Sequence, residues 1–344
     1  MAPEPPSPSW LAWLKDLDWL FLFIASWIVP FVIDYVVGLK YFSSLTFWVL
    51  PTLILLPRFL EYTDPKGRRR SALLWSVCNI VVLGVILDCV FGRIILHFDD
   101  TPHAYVGFLD IQRLGIHIPV EEFIFYALGP VAILLVYGWA DEYWLTWYSP
   151  RAARAAVNAR SSVVSLSVLS LVLTGLLVTA GMLVYHRNPD RTWTFPPYFT
   201  FLVALALTPA IFLFERVAQY VNWRAFGVTT LYLVFTSLVW EATLAVPRHW
   251  WGYQPAAMLG IPIRAWTADR HWPFPIEAVF VWIATPFSCI LLYEFVKFRQ
   301  YRANPSKETF VHPAIRSTLQ AAEGQLAQAE QFSGFAAAPP PSIP

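Results

Sequence analysis

Six carboxylates fall inside or at the edges of apolar runs of this sequence: Asp34, Asp88, Glu121, Glu122, Glu241 and Glu277. A carboxyl group so placed is costly, about +2.5 to +3.5 kcal/mol for Asp at the centre of a membrane helix, and normally faces an interior cavity. Three of the six recur in a pattern. Leu114-Gly115-Ile116-His117-Ile118 runs directly into Pro119-Val120-Glu121-Glu122-Phe123. Leu259-Gly260-Ile261-Pro262-Ile263 is followed, after an insertion from Arg264 to Phe274, by Pro275-Ile276-Glu277-Ala278-Val279-Phe280. Carboxyl groups held away from water suit proton transfer, because burial favours the neutral acid that gives a proton and a neighbouring carboxylate can take one back. A plainer reading stands beside this one. Glu in a first turn behind a Pro is an ordinary helix start favoured by the helix dipole, and Asp34, close to a helix end, reaches headgroup water.

The elements that must position these groups follow from composition. Of 344 residues, 57% are apolar or aromatic and 14% charged, against roughly 45–50% and about 25% in soluble domains. That balance excludes a soluble globule and a disordered chain, and 24 Lys+Arg against 23 Asp+Glu excludes a basic nucleic-acid binder. What remains is a polytopic membrane protein. Cys78, Cys89 and Cys289 all lie in apolar runs and suggest neither disulfides nor a metal centre. His97, His103, His117, His249 and His271 show no pair at metal-ligand spacing on a helix, so no metal and no cofactor are expected. The N-terminus has no basic region before a short apolar stretch, which leaves targeting to the first transmembrane helix.

A bilayer needs about 20 apolar residues per helix. Eight such runs are expected, at roughly 17–38, 42–62, 71–96, 119–140, 161–185, 196–218, 225–246 and 273–298, giving an all-α bundle of about eight transmembrane helices. Pro51, Pro57 and Pro209 predict kinks. With both termini cytoplasmic, sixteen of the 24 Lys and Arg residues fall inside, the cluster from Lys66 to Arg70 foremost, as the positive-inside rule requires. The chain then divides into an N-terminal tail (1–16), a first transmembrane helix (17–41), a first repeat (42–140), a linker carrying span 5 (141–195), a second repeat (196–298) and a cytoplasmic tail (299–344).

The repeat rests on more than the Pro-x-Glu element. Pro51, Arg58 and Tyr62 match Pro209, Arg216 and Tyr220 at the same spacings, and Asp88 corresponds to Glu241. With span 5 inserted between them, two three-helix units enter the membrane from the same side, so they are expected as parallel repeats about an axis along the membrane normal, with a site between them. In that topology the six carboxylates share one outer level, whereas Glu61, Glu215 and Glu294 lie at inner ends beside Arg58, Arg216 and Lys297 and read as structural.

The Pro-x-Glu-(Glu/Asp) element opening a helix, preceded by a Leu-Gly-Ile turn and repeated before aromatic-rich spans, resembles the membrane-integral lycopene cyclase domain family. The resemblance covers about residues 42–298, as if both subunits of the heterodimeric bacterial cyclases were fused. It is carried by Pro119, Glu121, Glu122 and Phe125 in the first unit and by Trp251, Tyr253, Gly260, Pro275, Glu277 and Trp282 in the second. One position departs from the pattern, Ala278 standing where the second motif would carry its paired acid.

The family implies redox-neutral, proton-initiated cyclisation of a carotenoid end group inside the membrane, in carotenoid biosynthesis, with a hydrophobic isoprenoid or carotenoid as partner besides the lipid bilayer. On that reading Glu121, Glu122 and Glu277 are the chief catalytic candidates, supported by Asp88 and Glu241. Phe125, Tyr126, Trp240, Trp251, Tyr253, Phe280 and Trp282 would line the substrate and stabilise a carbocation by about 2 kcal/mol or more per desolvated ring. The competing explanation for these rings is an interfacial aromatic belt. A bacterial cytoplasmic membrane is the expected location. Two other functions stay open: a related polyprenyl or terpene cyclase or hydratase, and a small transporter with an intramembrane carboxylate site.

Overall fold

A backbone inside hydrocarbon must satisfy its own N–H and C=O groups, so long runs of Leu, Val, Ile and Phe with few charges fold as helices. The computed structural model describes residues 10–38, 40–61, 68–98, 106, 108–111, 116–145, 167–263 and 274–303. The tail 1–9, the greater part of the expected insertion (264–273) and the stretch 304–344 of the expected cytoplasmic tail lie outside the described residues.

Helix α1 (Trp10–Phe23) passes through a π-helical turn (Ile24–Ile28) into α2 (Val29–Val37). A short α3 (Tyr41–Ser44) leads into α4 (Thr46–Glu61), and α5 (Arg68–Ile95) ends in strand β1 (Leu96–His97). Strands β2 (Phe108–Ile111) and β3 (Ile116–Pro119) precede α6 (Val120–Trp139), which closes in a second π turn (Ala140–Trp144). Then come α7 (Val168–Tyr185), α8 (Pro197–Val217) and α9 (Trp223–Trp240), the last continued by a third π turn (Glu241–Ala245). Strands β4 (Gly252–Tyr253), β5 (Pro262–Ile263) and β6 (Phe274–Pro275) lead to α10 (Glu277–Ala303).

The protein is thus mostly helical, and six of its described helical segments are long and apolar enough to cross a membrane: Leu17–Val37, Val120–Glu142, Val168–Tyr185, Pro197–Val217, Trp223–Ala245 and Glu277–Gln300. The two other expected spans differ from these six. Helix α5 bends by 50° between Ile86 and Asp88 although no proline lies in it, and Tyr41–Pro57 is a shorter apolar helix, its run ending where Pro57 is followed by Arg58. Helix α7 packs chiefly on α8 and leaves most of its surface exposed, so it sits at the periphery.

Helix ends meet in alternation, which relates the directions of α1, α5, α6, α9 and α10. Trp139 at the end of α6 donates at 3.2 Å to Asp18, at the start of the apolar span Leu17–Val37, and Asn222 just before α9 donates to Asp141 at 3.0 Å. Gln300 at the end of α10 donates to Ser71 at the start of α5 at 3.1 Å. In the same layer Glu294 accepts from Lys297 at 2.6 Å and from Tyr137 at 3.1 Å, all three groups buried. Helix α10 runs through the middle of the bundle against α8, α5, α9 and α6. The opposite end carries the three two-stranded ladders.

A buried carboxylate that loses its cation is left with an uncompensated charge, at a cost of about 3–5 kcal/mol. Lys297→Met is therefore expected to lower the melting temperature in detergent markedly, and the double variant Glu294→Leu/Lys297→Met to recover most of the loss. Equal melting of the single variant and the native protein excludes this pair as a stabilising element.

Candidate active site

The end of the bundle that carries the ladders is built by short backbone pairings. Leu96 pairs with Tyr253 and His97 with Gly252, antiparallel, and Gln254 donates its N–H to the Ile95 carbonyl at 2.9 Å. This ties the end of α5 to the chain that follows α9. Between the third π turn and Tyr253 the backbone reverses at His249, whose φ of 54° is in the left-handed region that non-glycine residues seldom adopt. The π turn starts at Glu241, and such turns reorient side chains relative to the regular helix before them.

Two hairpins each deliver a Glu at a helix start. Phe108 pairs with Pro119 and Ile111 with Ile116 ahead of α6, and Pro262 pairs with Pro275 and Ile263 with Phe274 ahead of α10. Glu121 accepts the backbone N–H of Val106, and Glu277 that of Leu259, each bond reaching back to the residues just before its hairpin. Pro119 is the N-cap of α6, one position earlier than the first-turn place expected for it. The loop that presents Leu259 is itself pinned: Asn188 donates to the Pro255 and Met258 carbonyls and Tyr185 to that of Ala256.

Between α5, α6, α8 and α10 lies a cavity of about 130 Å³. Asp88, Glu122 and Glu241 line it, and all three are buried. Glu241 accepts from Tyr253 Oη and from Trp282 Nε1, both at 2.7 Å. Glu122 accepts from Tyr41 Oη at 2.6 Å. Asp88 is hydrogen-bonded to Tyr126, while its Oδ2 is buried without a hydrogen-bond partner. Gly92, one turn on, makes room for that carboxyl group, since a Cβ there would lie 2.8 Å from Asp88 Oδ1. In the same way Gly84 admits the Tyr126 ring, which would come within 2.6 Å of a Cβ.

Apart from Thr285, the remaining wall is aromatic and aliphatic. Phe125, Tyr126, Trp240, Trp251, Tyr253 and Trp282 all line the cavity. Phe125 stacks on Trp240 with ring centroids 5.6 Å apart and meets Trp282 edge to face at 5.7 Å. Trp48 backs this group, stacked on Trp282 at 5.0 Å. No Lys, Arg or His is among the described residues that line the cavity. On α6 the lining ends at Ile133, and Leu134 to Val136 that follow it are buried apolar residues.

The five expected acids therefore divide. Asp88, Glu122 and Glu241 share the cavity, whereas Glu121 and Glu277 point to loop backbone and do not line it. Of the seven expected aromatic residues six line it, and Phe280, 41% exposed, faces outward. Asp34 pairs with Arg248 near the surface. Tyr41 and Tyr198 also line the cavity and were not among the expected residues. Tyr41 opens the four-residue helix α3 before α4, and Tyr198 follows a Pro-Pro pair at a helix start. At such helix ends a tyrosine reads as interfacial belt, so composition and spacing give no signal for either. Among the described residues no group of His, Cys, Asp or Glu is arranged to hold a metal ion.

No family model, curated protein or solved structure matches this chain.

Removing the acceptor from a buried N–H costs about 1–3 kcal/mol, whereas an acceptor of similar shape preserves the bond. Glu277→Ala is accordingly expected to lower the melting temperature in detergent and to raise amide exchange at Leu259, and Glu277→Gln to do neither to a comparable degree. Identical behaviour of the two variants excludes the loop-holding role.

Proposed function

We propose that the protein is a lycopene β-cyclase-like isomerase that cyclises a carotenoid-type end group by proton-initiated, redox-neutral chemistry inside the membrane. The observation that carries this reading is the meeting of three buried carboxyl groups, Asp88, Glu122 and Glu241, on one aromatic-walled cavity that has no basic residue on its lining. An apolar substrate offers no polar handle, so a site for it is mostly apolar with a few placed polar groups. Protonation of a terminal alkene makes a tertiary cation, attack by an internal alkene closes the ring, and loss of a ring proton restores neutrality. Carboxylates and ring faces both stabilise the cation on the way, and burial keeps water from capturing it.

The cavity suits an extended chain. Along α6 its lining runs from Glu122 to Ile133, about 16 Å at 1.5 Å per residue, with the acids at one end and mostly apolar groups beyond, the Thr285 hydroxyl there being bonded to its own helix. A polyene entering with its reacting end toward the acids fits that polarity. A hydratase would share the cation and differ in its capture by water. A carrier needs a polar path to the other side, and the buried apolar run from Ile133 to Val136 on α6 offers none.

The same reading takes the bent α5 and the α3–α4 segment as spans, making eight, with both termini on the cytoplasmic side of a bacterial membrane. Two matching hairpins, each followed by a Glu that reaches back to the backbone before it, support a pair of three-helix repeats.

Expression in lycopene-accumulating bacteria is expected to yield carotenoids of unchanged mass with cyclised ends, read by chromatography and absorption spectra. Trp282→Leu is expected to cut the yield about 30-fold, the equivalent of about 2 kcal/mol. Extracts that contain lycopene alone overturn the proposal.

A further inference from the structure

The two halves of the site hold their carboxyl groups in opposite hydrogen-bonding situations, and we infer from this that Asp88 gives the initiating proton and Glu241 is the anion that removes the ring proton. The inference rests on the cyclase reading above and deepens it.

Glu241 has both oxygens engaged as acceptors, one from the Tyr253 hydroxyl and one from the Trp282 indole. An indole N–H only donates, so the oxygen it meets presents a lone pair and not a proton. A carboxylate with a donor on each oxygen is held as the anion, and bonds to an ionised acceptor are about twice as strong as neutral ones. Asp88 is placed otherwise. Its Oδ2 is buried on the cavity side of α5 and meets no donor. An ionised oxygen without a donor in an apolar wall carries a large penalty, and a protonated one a far smaller one. The fit of the carboxyl group over Gly92 holds it there, with Tyr126 occupied on its remaining side.

The reaction balances on these two groups. The Asp88 O–H bond breaks as a C–H bond forms at the terminal alkene. The internal alkene's electron pair makes the ring C–C bond and leaves a tertiary ring cation. A ring C–H bond then breaks, its pair becoming the ring double bond, and the proton passes to a Glu241 oxygen. The product is an isomer of the substrate. Glu241 sheds its proton and Asp88 takes one up before the next turnover.

Lycopene supplied in D₂O to membranes bearing the full chain tests the assignment. The wild type is expected to place one deuterium in each ring formed. Asp88→Asn is expected to lose both deuterium uptake and ring product by about 100-fold or more, the usual contribution of general acid catalysis. Glu241→Gln is expected to keep taking up deuterium while ring product falls by a similar factor, giving deuterated lycopene or hydrated product in its place. Gly92→Ala removes no carboxyl group and crowds that of Asp88 most closely; a fall in deuterium uptake at unchanged melting temperature supports the assignment even where Asp88→Asn fails to fold. Deuterium uptake that survives in both Asp88→Asn and Gly92→Ala, or is lost in Glu122→Gln or Glu241→Gln and not in Asp88→Asn, overturns it. A wild type that makes no ring overturns the cyclase reading as well.

Discussion

A carboxyl group in an apolar helix bundle has no water to bond, so each one must find its donors in the protein. The structure meets this demand with partners from distant parts of the chain. Glu241 takes Tyr253 and Trp282, Glu122 takes Tyr41, Asp88 takes Tyr126, and Glu121 and Glu277 take backbone N–H groups of Val106 and Leu259. Every one of these bonds joins separate elements, except that Glu241 and Tyr253 flank one reversal. The acids are thus a framework as well as a site. They fix where α3, α5, α6, α9 and α10 stand relative to one another at the end of the bundle where regular helix contacts give way to short ladders.

Helices were the most legible part of the sequence because the membrane sets their length and composition together. The runs expected at 119–140, 196–218 and 225–246 correspond to Val120–Glu142, Pro197–Val217 and Trp223–Ala245. The bend in α5 has no proline to announce it; two of the three π turns are each followed by a proline, Pro30 and Pro247, which marks a disturbed helix but not the kind of turn. The π turn at Glu241 follows an unbroken apolar helix and leads into a reversal at His249 that depends on the ladder to α5. Features of this kind are tertiary and become visible only once the partner strand is in place.

The acids were legible as a group, by the cost of burying them, but their division was not. Glu121 and Glu122 are neighbours, and successive residues on a helix point about 100° apart. One turns to the loop and the other to the cavity. The repeated motif draws attention to its first Glu, Glu121 and Glu277 alike, and that is the position devoted to loop backbone in both halves. The motif's second position carries the cavity acid, Glu122, and is Ala278 in the other half. Glu241 stands in that half as the group on the cavity, supported by Trp282 one turn past Ala278. Ala278 therefore falls where the first motif has its cavity acid, and the two motif-bearing stretches contribute different groups to one cavity.

The two polar layers of the protein show what is particular about this cavity. At the end opposite the ladders the buried acids have resident partners of opposite charge or donor character: Lys297 lies on Glu294, Asn222 on Asp141 and Trp139 on Asp18. In that layer Lys297 cancels the charge of Glu294, while Asp141 and Asp18 are held by neutral amide and indole donors. Around the cavity three carboxyl groups face a wall that offers hydroxyl and indole donors but no cation. Hydroxyls and indoles stabilise an anion without cancelling its charge, so the wall keeps a negative field in a low-dielectric space where field strength is greatest. Aromatic faces add to it with the same sign. Permanent cations are excluded by the cost of bringing a charge through the bilayer to reach it. The charge that such a wall suits best is one created inside it, as the proposed protonation of a neutral apolar molecule would do.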